Sequence, residues 1–241
     1  MIRFERLAKR FGDHPVLNEV SFEIPEGETT VLLGHSGSGK SVALKHIVGL
    51  LEPDQGRVEV DGLVVHQLDY DELAGLRRQI GYVFQSAALF DSLTVAENVA
   101  LGLRRRGLSS NEIESRVAES LRLVELAGAA ASRPAELSGG MRKRVGVARA
   151  IALRPRYILY DEPTAGLDPV TTAAMDELMI RAREESGATS VVVTHDLQSA
   201  FAVGDRIAFL FEGNILEAGT AAEIRRSTHP VIREFLGQRS Q

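Results

Sequence analysis

The stretch "TTVLLGHSGSGKS" (29–41) decides the fold, because an apolar strand runs into a glycine-rich loop that opens a helix. "GHSGSGKS" (34–41) matches the pattern G-x-x-x-x-G-K-[ST] through Gly34, Gly39, Lys40 and Ser41. In this pattern the backbone curls around a β-phosphate, Lys40 reaches the β- and γ-phosphates, and the Ser41 hydroxyl binds Mg²⁺. The alternative is a glycine-rich turn without a ligand, and the strand–loop–helix context disfavours it.

The composition indicates an ordinary soluble globular chain of one large or two small domains. Its 241 residues are 44% hydrophobic and 25% charged, with a net charge of −5, so nucleic acid is disfavoured as the main partner. The absence of cysteine excludes disulfides and thiolate chemistry. We expect no membrane span and no secretory signal, and therefore a cytoplasmic location.

Strands and helices alternate on both sides of a helical segment. Strands are predicted in 2–33, 56–62 and 79–85 and again after 156, with helices at 40–51 and 170–186. Between them, 86–155 carries apolar residues at helical spacing. This order predicts a parallel-sheet core with a helical subdomain. We expect a single domain, 1–241, with a core lobe of 1–85 and 156–241 and a helical subdomain of 86–155.

Acidic and polar residues follow other predicted strands. "YILYDEP" (157–163) delivers Asp161 and Glu162 to a strand end, where Asp161 is placed to hold Mg²⁺ and Glu162 to polarise the attacking water. Alone, such a pair is more often a solvated turn. His195 and Gln85 also follow strands. His195 is either structural or a sensor of the γ-phosphate, and Gln85 could reach Mg²⁺ or the attacking water.

Taken together, the motifs resemble the ATP-binding-cassette (ABC) nucleotide-binding domain over essentially the whole chain. They are "KRFG" (9–12), "GHSGSGKS", Gln85, "LSGGM" (137–141), "YILYDEP", "AGLD" (165–168) and "VVVTHD" (191–196). The resemblance implies an α/β fold of the P-loop NTPase (RecA-like) type. It has a mixed sheet core, an N-terminal antiparallel β subdomain and an inserted α-helical signature subdomain.

In that family two cassettes associate head to tail, and the LSGG helix of one caps the ATP bound by the other. The resemblance therefore implies a homodimer in which Ser138, Gly139 and Gly140 bind the partner's ATP. A helix N-terminus favours that negative charge. Leu167 and Asp168 match the loop that crosses the same interface.

The resemblance also assigns the cofactors, ATP and Mg²⁺. Phe11 matches the aromatic residue that stacks on adenine, although it could be a core residue of a hairpin. Glu162, His195 and Gln85 match the catalytic base, the switch histidine and the Q-loop glutamine. The residues that the resemblance assigns to Mg²⁺ binding are Ser41, Gln85 and Asp161. The phosphate loop comprises Gly34, His35, Ser36, Gly37, Ser38, Gly39, Lys40, Ser41 and Val42.

Finer features resemble the ATPases of Mla/Mce lipid-transport systems. These are Val42, "FQSAALFDSLTVAENV" (84–99), Met141 with its basic neighbours, and "THPVIREFLGQ" (228–238). That resemblance implies a place on the cytoplasmic face of the inner membrane, with integral-membrane permease subunits. It also implies an Mce-type lipid-binding protein and allows a small accessory subunit. Importers of polar amino acids are the alternative.

The exposed surface offers two further candidates. Leu89 and Phe90 in 86–99 would suit docking to a permease. We expect Arg104–Arg106 to be a solvated face, whereas one of Arg142–Arg144 could help neutralise the partner's triphosphate.

Two other classes remain. A soluble cassette ATPase of the iron–sulfur type is possible by size. A P-loop kinase or GTPase has no use for "LSGG", and the sequence lacks Asn-Lys-x-Asp.

Overall fold

The computed structural model describes residues 1–237, so Gln238, the last residue of the 228–238 segment, lies outside the described residues. The strands are β1 (Ile2–Phe11), β2 (His14–Ile24), β3 (Thr29–Leu33), β4 (Gln55–Val60), β5 (Leu63–Val64), β6 (Ile80–Val83), β7 (Tyr157–Asp161), β8 (Thr189–Thr194), β9 (Arg206–Phe211) and β10 (Asn214–Thr220). The helices are α1 (Lys40–Ile47), α2 (Tyr70–Arg77), α3 (Val95–Arg104), α4 (Ser110–Leu123), α5 (Gly139–Ile151), α6 (Pro169–Ser186), α7 (Leu197–Val203), α8 (Ala221–Arg225) and α9 (Pro230–Phe235).

The chain forms two compact units. Met1–Leu76 and the chain from Thr189 onward form one, here called the P-loop unit, and Arg77–Ala188 forms the other, the helical unit. The strand that ends at Asp161 therefore belongs to the helical unit. The lobes expected from the sequence, with limits at 85 and 156, stay a prediction.

The P-loop unit contains an antiparallel sheet and a mixed sheet. The antiparallel sheet has the order β2-β1-β4-β5, and the strands β10-β9-β3-β8 lie side by side in the mixed sheet. β3 pairs in parallel with both β8 and β9, and β9 pairs antiparallel with β10. Every residue of β3 is buried, which agrees with its continuous apolar sequence. The strand that leads into the glycine loop is thus central in its sheet.

The helical unit is organised around α5. β6 and β7 pair in parallel, and α5 packs against β6 and against α3, α4 and α6. Val145, Val147 and Ala148 of α5 are fully buried, as a helix surrounded by other elements requires. Of the helices within 1–237, none is long and apolar enough to cross a membrane.

The predicted helix at 40–51 is shorter than expected. α1 ends at Ile47 because Gly49 adopts a left-handed backbone with φ of 62°. The Leu50 N–H donates to the Lys45 carbonyl at 2.9 Å and the Gly49 N–H to the His46 carbonyl at 3.2 Å. These two bonds form a Schellman motif, which stops a helix. The sequence analysis did not predict α2, α7, α8, α9, β5 or β10.

Asn98 holds the loop before α3. Its side chain is fully buried and makes four hydrogen bonds to backbone groups of 90–94. Its Oδ1 accepts from the Phe90 N–H at 2.8 Å, and its Nδ2 donates to the carbonyls of Phe90, Leu93 and Thr94. The loop that carries Phe90 therefore depends on one amide.

We expect Asn98→Ala to lower the free energy of unfolding by about 2–3 kcal/mol, because buried backbone groups lose their partner. Urea denaturation followed by circular dichroism measures the change. The control is Asn111→Ala on the exposed face of α4, which should change stability by less than about 0.5 kcal/mol. Equal destabilisation by the two substitutions would contradict the role given to Asn98.

Candidate nucleotide and signature sites

The phosphate loop folds tightly because its glycines meet other backbone at close range. A Cβ on Gly34 would lie 2.1 Å from the Leu210 carbonyl oxygen. Gly39, the N-cap of α1, has φ of 103°, and a Cβ there would lie 2.8 Å from the Val16 carbonyl oxygen. Larger residues at either position would displace the loop, so the glycines are required by this geometry.

The loop presents groups that suit a phosphate. The Lys40 ammonium is buried and donates to the carbonyls of Gly34 and His35, each at 2.9 Å. The buried Ser38 Oγ has no hydrogen-bond partner among the described residues. No side chain caps the start of α1, so its first N–H groups face the loop with a positive helix dipole. An ammonium, an unpartnered hydroxyl and an uncapped helix start together fit a bound phosphate chain.

His195 lies beside this loop. Leu33 of β3 pairs with Thr194 of β8, so Gly34 and His195 leave neighbouring strands at the same edge. The Gly34 N–H donates to the Thr194 carbonyl at 3.4 Å. The His195 side chain is exposed. Parallel pairing thus brings together the histidine and the glycine loop that the sequence singled out separately.

Two aromatic contacts complete this part of the P-loop unit. The His35 ring packs edge-on against Phe235 of α9, with ring centroids 4.8 Å apart. Phe235 also contacts Phe209 of β9 at 5.0 Å. Phe11, at the end of β1, is 49% exposed, so it is not a core residue and stays available for stacking. The sequence analysis did not find the contact between α9 and the phosphate loop.

In the helical unit, Asp161 and Glu162 follow β7 and are both buried. The Tyr82 hydroxyl of β6 donates to Asp161 Oδ2 at 3.0 Å. Burial, followed by the charge of Asp161, raises the pKa of Tyr82, so the hydroxyl stays protonated as a donor. Gln85 is exposed two residues beyond the end of β6, at the edge where Asp161 leaves β7. The sequence analysis missed Tyr82.

The signature sequence begins α5. Ser138 is its N-cap, and its Oγ accepts from the Met141 N–H at 3.2 Å. Gly139 is exposed, with open space where a Cβ would stand. A Cβ on Gly140 would lie 2.7 Å from Thr171 Cγ2, so this glycine permits α5 to approach the start of α6. The Ser138–Gly139 corner is therefore an open helix N-terminus.

Asp168 is the N-cap of α6. Its carboxylate accepts from the N–H groups of Val170 and Thr171 at 3.0 Å and from the Thr171 hydroxyl at 2.6 Å. The side-chain bond from Thr171 is the main reason that the pKa of Asp168 is lowered. The structure thus gives Asp168 a role in its own helix, and its role towards the partner's ATP stays a prediction.

The basic clusters are only partly solvated. Arg104 and Arg105 are exposed as expected, but the prediction is wrong for Arg106. The Arg106 guanidinium donates to the Leu153 carbonyl at 2.7 Å and also to the Arg78 carbonyl, and burial lowers its pKa. Its three-carbon stem reaches from the end of α3 to these two carbonyls, which a run of arginines does not reveal.

A similar anchor holds the loop after Gln85. The Arg149 guanidinium of α5 donates to the carbonyls of Ala87 and Ala88 at 2.7 and 2.6 Å. Both alanines have positive φ, 61° and 47°. Leu89 is half-buried and Phe90 is 53% exposed, so apolar surface is present in the predicted docking segment.

The candidate ligands fall in both units. The phosphate loop and His195 belong to the P-loop unit, whereas Gln85, Asp161, Glu162 and the signature residues belong to the helical unit. Within 1–237 no group of three His, Asp or Glu could hold a metal ion alone. Mg²⁺ in nucleotide sites is held by one or two side chains together with phosphates, so the residues present fit it. Their joint action on one MgATP stays a prediction.

Known proteins resemble the chain over nearly its whole length. A sequence model of the ABC transporter family matches residues 17–165. The probable ribonucleotide transport ATP-binding protein mkl of Mycobacterium leprae (strain TN) is 41% identical over 239 residues, 99% of this chain and 69% of that protein. Protein TRIGALACTOSYLDIACYLGLYCEROL 3, chloroplastic, of Arabidopsis thaliana is 41% identical over 253 residues, 98% of this chain and 73% of that protein.

Importers and solved cassettes match as well. The methionine import ATP-binding protein MetN 1 of Pseudomonas putida is 40% identical over 247 residues, 100% of this chain and 74% of that protein. The dimeric structure of a post-hydrolysis state of the ATP-binding cassette MJ0796, bound to ADP and Pi, has a TM-score of 0.83 and 38% identity. The match covers 92% of this chain and 99% of the solved MJ0796 chain.

The predicted P-loop NTPase fold is confirmed by these structures, as is the assignment of ATP with Mg²⁺. Together with the family match over 17–165, they show that the chain belongs to the ABC transporter ATP-binding domains, which are ATPases.

Proposed function

We propose that this ABC ATPase is a homodimer that drives a membrane permease moving phospholipids or other hydrophobic molecules. The observation that carries the dimer is the open N-terminus of α5. There Gly139 is exposed, and the first N–H groups of a 13-residue helix have no intrahelical acceptor. Such a helix start favours a bound phosphate. Because the chain already has a phosphate loop at α1, we infer that the start of α5 binds the nucleotide of a second chain.

In this proposal each ATP lies between two chains. One chain contributes the phosphate loop, in which Lys40 binds the β- and γ-phosphates and Ser41 binds Mg²⁺, with Phe11 stacked on adenine. Asp161 and Gln85 complete the Mg²⁺ site, Glu162 polarises the attacking water and His195 contacts the γ-phosphate. The partner chain contributes Ser138, Gly139 and Gly140, with Asp168 nearby. Neither chain alone has a complete site.

The lipid assignment rests on segments that differ from those of polar-solute importers. Residues 84–99 and the "GGMRKR" start of α5 resemble Mla/Mce ATPases, and one relative carries the name of a diacylglycerol lipid. The alternative is a polar-solute importer, which the similarity to a methionine importer favours. We propose a peripheral location on the cytoplasmic face of the membrane. Partners would be permease subunits, an Mce-type lipid-binding protein and a small accessory subunit.

We expect Glu162→Gln to keep ATP binding but lower phosphate release by about a hundredfold or more, because a general base contributes about that factor. With ATP the variant should accumulate as a closed dimer, measured by size-exclusion chromatography. Glu184→Gln, on the exposed face of α6, is the control and should hydrolyse at the parental rate. Parental hydrolysis by Glu162→Gln would remove Glu162 from the role of base.

The shared site can be tested by mixing two inactive variants. Ser138→Arg and Lys40→Ala should each be inactive as homodimers, because both sites of each dimer lack one half. In a mixed dimer the Lys40 of one chain and the Ser138 of the other form one complete site. An equimolar mixture should therefore recover about a quarter of the parental ATPase rate, since half the dimers are mixed and each has one site. Full activity of Ser138→Arg alone, or no recovery on mixing, would contradict a site shared between chains.

The transport proposal can be tested by purifying the tagged chain from detergent-solubilised membranes, with mass spectrometry of proteins and lipids. We expect a polytopic permease, a single-span lipid-binding protein and bound phospholipid. Phe90→Glu should lose the permease, because it places a charge on the predicted docking segment, whereas Tyr70→Glu on exposed α2 should retain it. A permease without lipid or lipid-binding protein would favour the polar-solute importer. Absence of any membrane protein would favour a soluble cassette ATPase.

A further inference from the structure

Lys143 of α5 binds the turn that follows the Asp161–Glu162 pair. Its ammonium donates to the carbonyls of Glu162, Pro163 and Ala165 at 3.4, 3.0 and 2.5 Å. The side chain is half-buried, and this burial lowers the pKa of Lys143 although the Glu162 carboxylate opposes the shift. All these residues lie in the helical unit. One side chain of the signature helix therefore binds three carbonyls within the four residues 162–165, here called the catalytic turn.

The backbone of this turn is strained at Glu162, the proposed base. Glu162 has φ of 48°, a left-handed backbone that glycine adopts readily and glutamate does not. Such a conformation persists where its surroundings determine it. The Ala165 N–H donates to the Glu162 carbonyl at 3.3 Å, and the Lys143 ammonium of α5 donates to the same carbonyl. The backbone direction at Glu162, and with it the direction of its carboxylate, depends on these contacts.

The geometry distinguishes this role from phosphate binding. A lysine ammonium has three N–H donors. Around the Lys143 ammonium lie three backbone carbonyls of the same chain, one for each donor. The sequence had suggested that one of Arg142–Arg144, and thus Lys143 among them, could neutralise the partner's triphosphate. Because its donors point at the turn, Lys143 is placed to orient Glu162 and not to bind a phosphate.

We propose that Lys143 is a positioning residue that fixes the catalytic turn to the signature helix, so that Glu162 is aimed at the attacking water when α5 engages the partner's ATP. The inference rests on the proposed function, in which Glu162 is the base and α5 contacts the partner's nucleotide. It adds a direct contact that connects the backbone at Glu162 to helix α5. A glutamine at this position would offer two N–H donors without a charge and would form a weaker link.

We expect Lys143→Met to lower kcat about tenfold while KM for ATP and the Kd of a fluorescent ATP analogue change less than twofold, because the turn is affected and the phosphate loop is not. Lys143→Gln should give an intermediate kcat and serves if the methionine variant folds poorly. Arg122→Met, an exposed cation at the end of α4, is the matched control for charge loss and should keep parental values. Melting temperatures of all variants establish that they are folded.

A double variant identifies the residue through which Lys143 acts. In the Glu162→Gln background, adding Lys143→Met should leave the residual rate unchanged within about twofold, because the carboxylate that it orients is absent. A further tenfold loss, a parental kcat for both Lys143 variants, or a change confined to KM and Kd would overturn the inference. If Glu162→Gln itself hydrolyses ATP at the parental rate, the proposed base fails, and the positioning role fails with it. If Glu162→Gln is inactive and both Lys143 variants are fully active, only this inference fails.

Discussion

Buried and half-buried cationic side chains that bind backbone carbonyls hold the functional loops of this molecule. A loop that curves around a nucleotide cannot pair its carbonyls in a helix or sheet, yet buried carbonyls need donors. Lys40 binds carbonyls of the phosphate loop, Lys143 those of the catalytic turn, and Arg149 those of the loop after Gln85. Each of these hydrogen bonds is charge-assisted and is therefore stronger than a hydrogen bond from a neutral backbone amide. At all three places this interaction supports an irregular backbone together with a few backbone hydrogen bonds, such as that from the Ala165 N–H to the Glu162 carbonyl.

Two of these anchors belong to α5, which explains why one helix carries so much of the site. Lys143 and Arg149 are six residues apart, about 600° of helical rotation, so they leave α5 on different sides. One side faces the turn after β7 and the other the loop after β6, while Ser138 stands at the helix start. A shift of α5 would therefore reach both loops of the helical unit together. The signature motif is the exposed end of a helix whose Lys143 and Arg149 bind the turn after β7 and the loop after β6.

The sequence predicted what has a local pattern. The strand–loop–helix at 29–41 and the helix that begins at the LSGG motif depend on residues close in sequence, and both lie where they were predicted. The Schellman stop at Gly49 also has a local signal, because a glycine interrupts an otherwise helical run. Tyr82, Lys143 and the Phe235–His35 contact could not be predicted, because their partners lie 19 to 200 residues away. Backbone carbonyls, moreover, are the same for every residue type and leave no trace in a sequence.

Within 1–237, the anchors coincide with backbone strain at three of the nine non-glycine residues that have positive φ. Glu162, Ala87 and Ala88 have positive φ without being glycine, and all three carry carbonyls bound by a lysine or arginine of α5. A left-handed residue costs about 1–2 kcal/mol, whereas a hydrogen bond to a charged group contributes about 1.5–3 kcal/mol. Anchoring can therefore outweigh the strain without recourse to glycine. In the proposed mechanism this matters most at Glu162, because only a residue with a side chain can act as the base, and the cation on α5 allows a carboxylate to stand where the backbone alone would favour glycine.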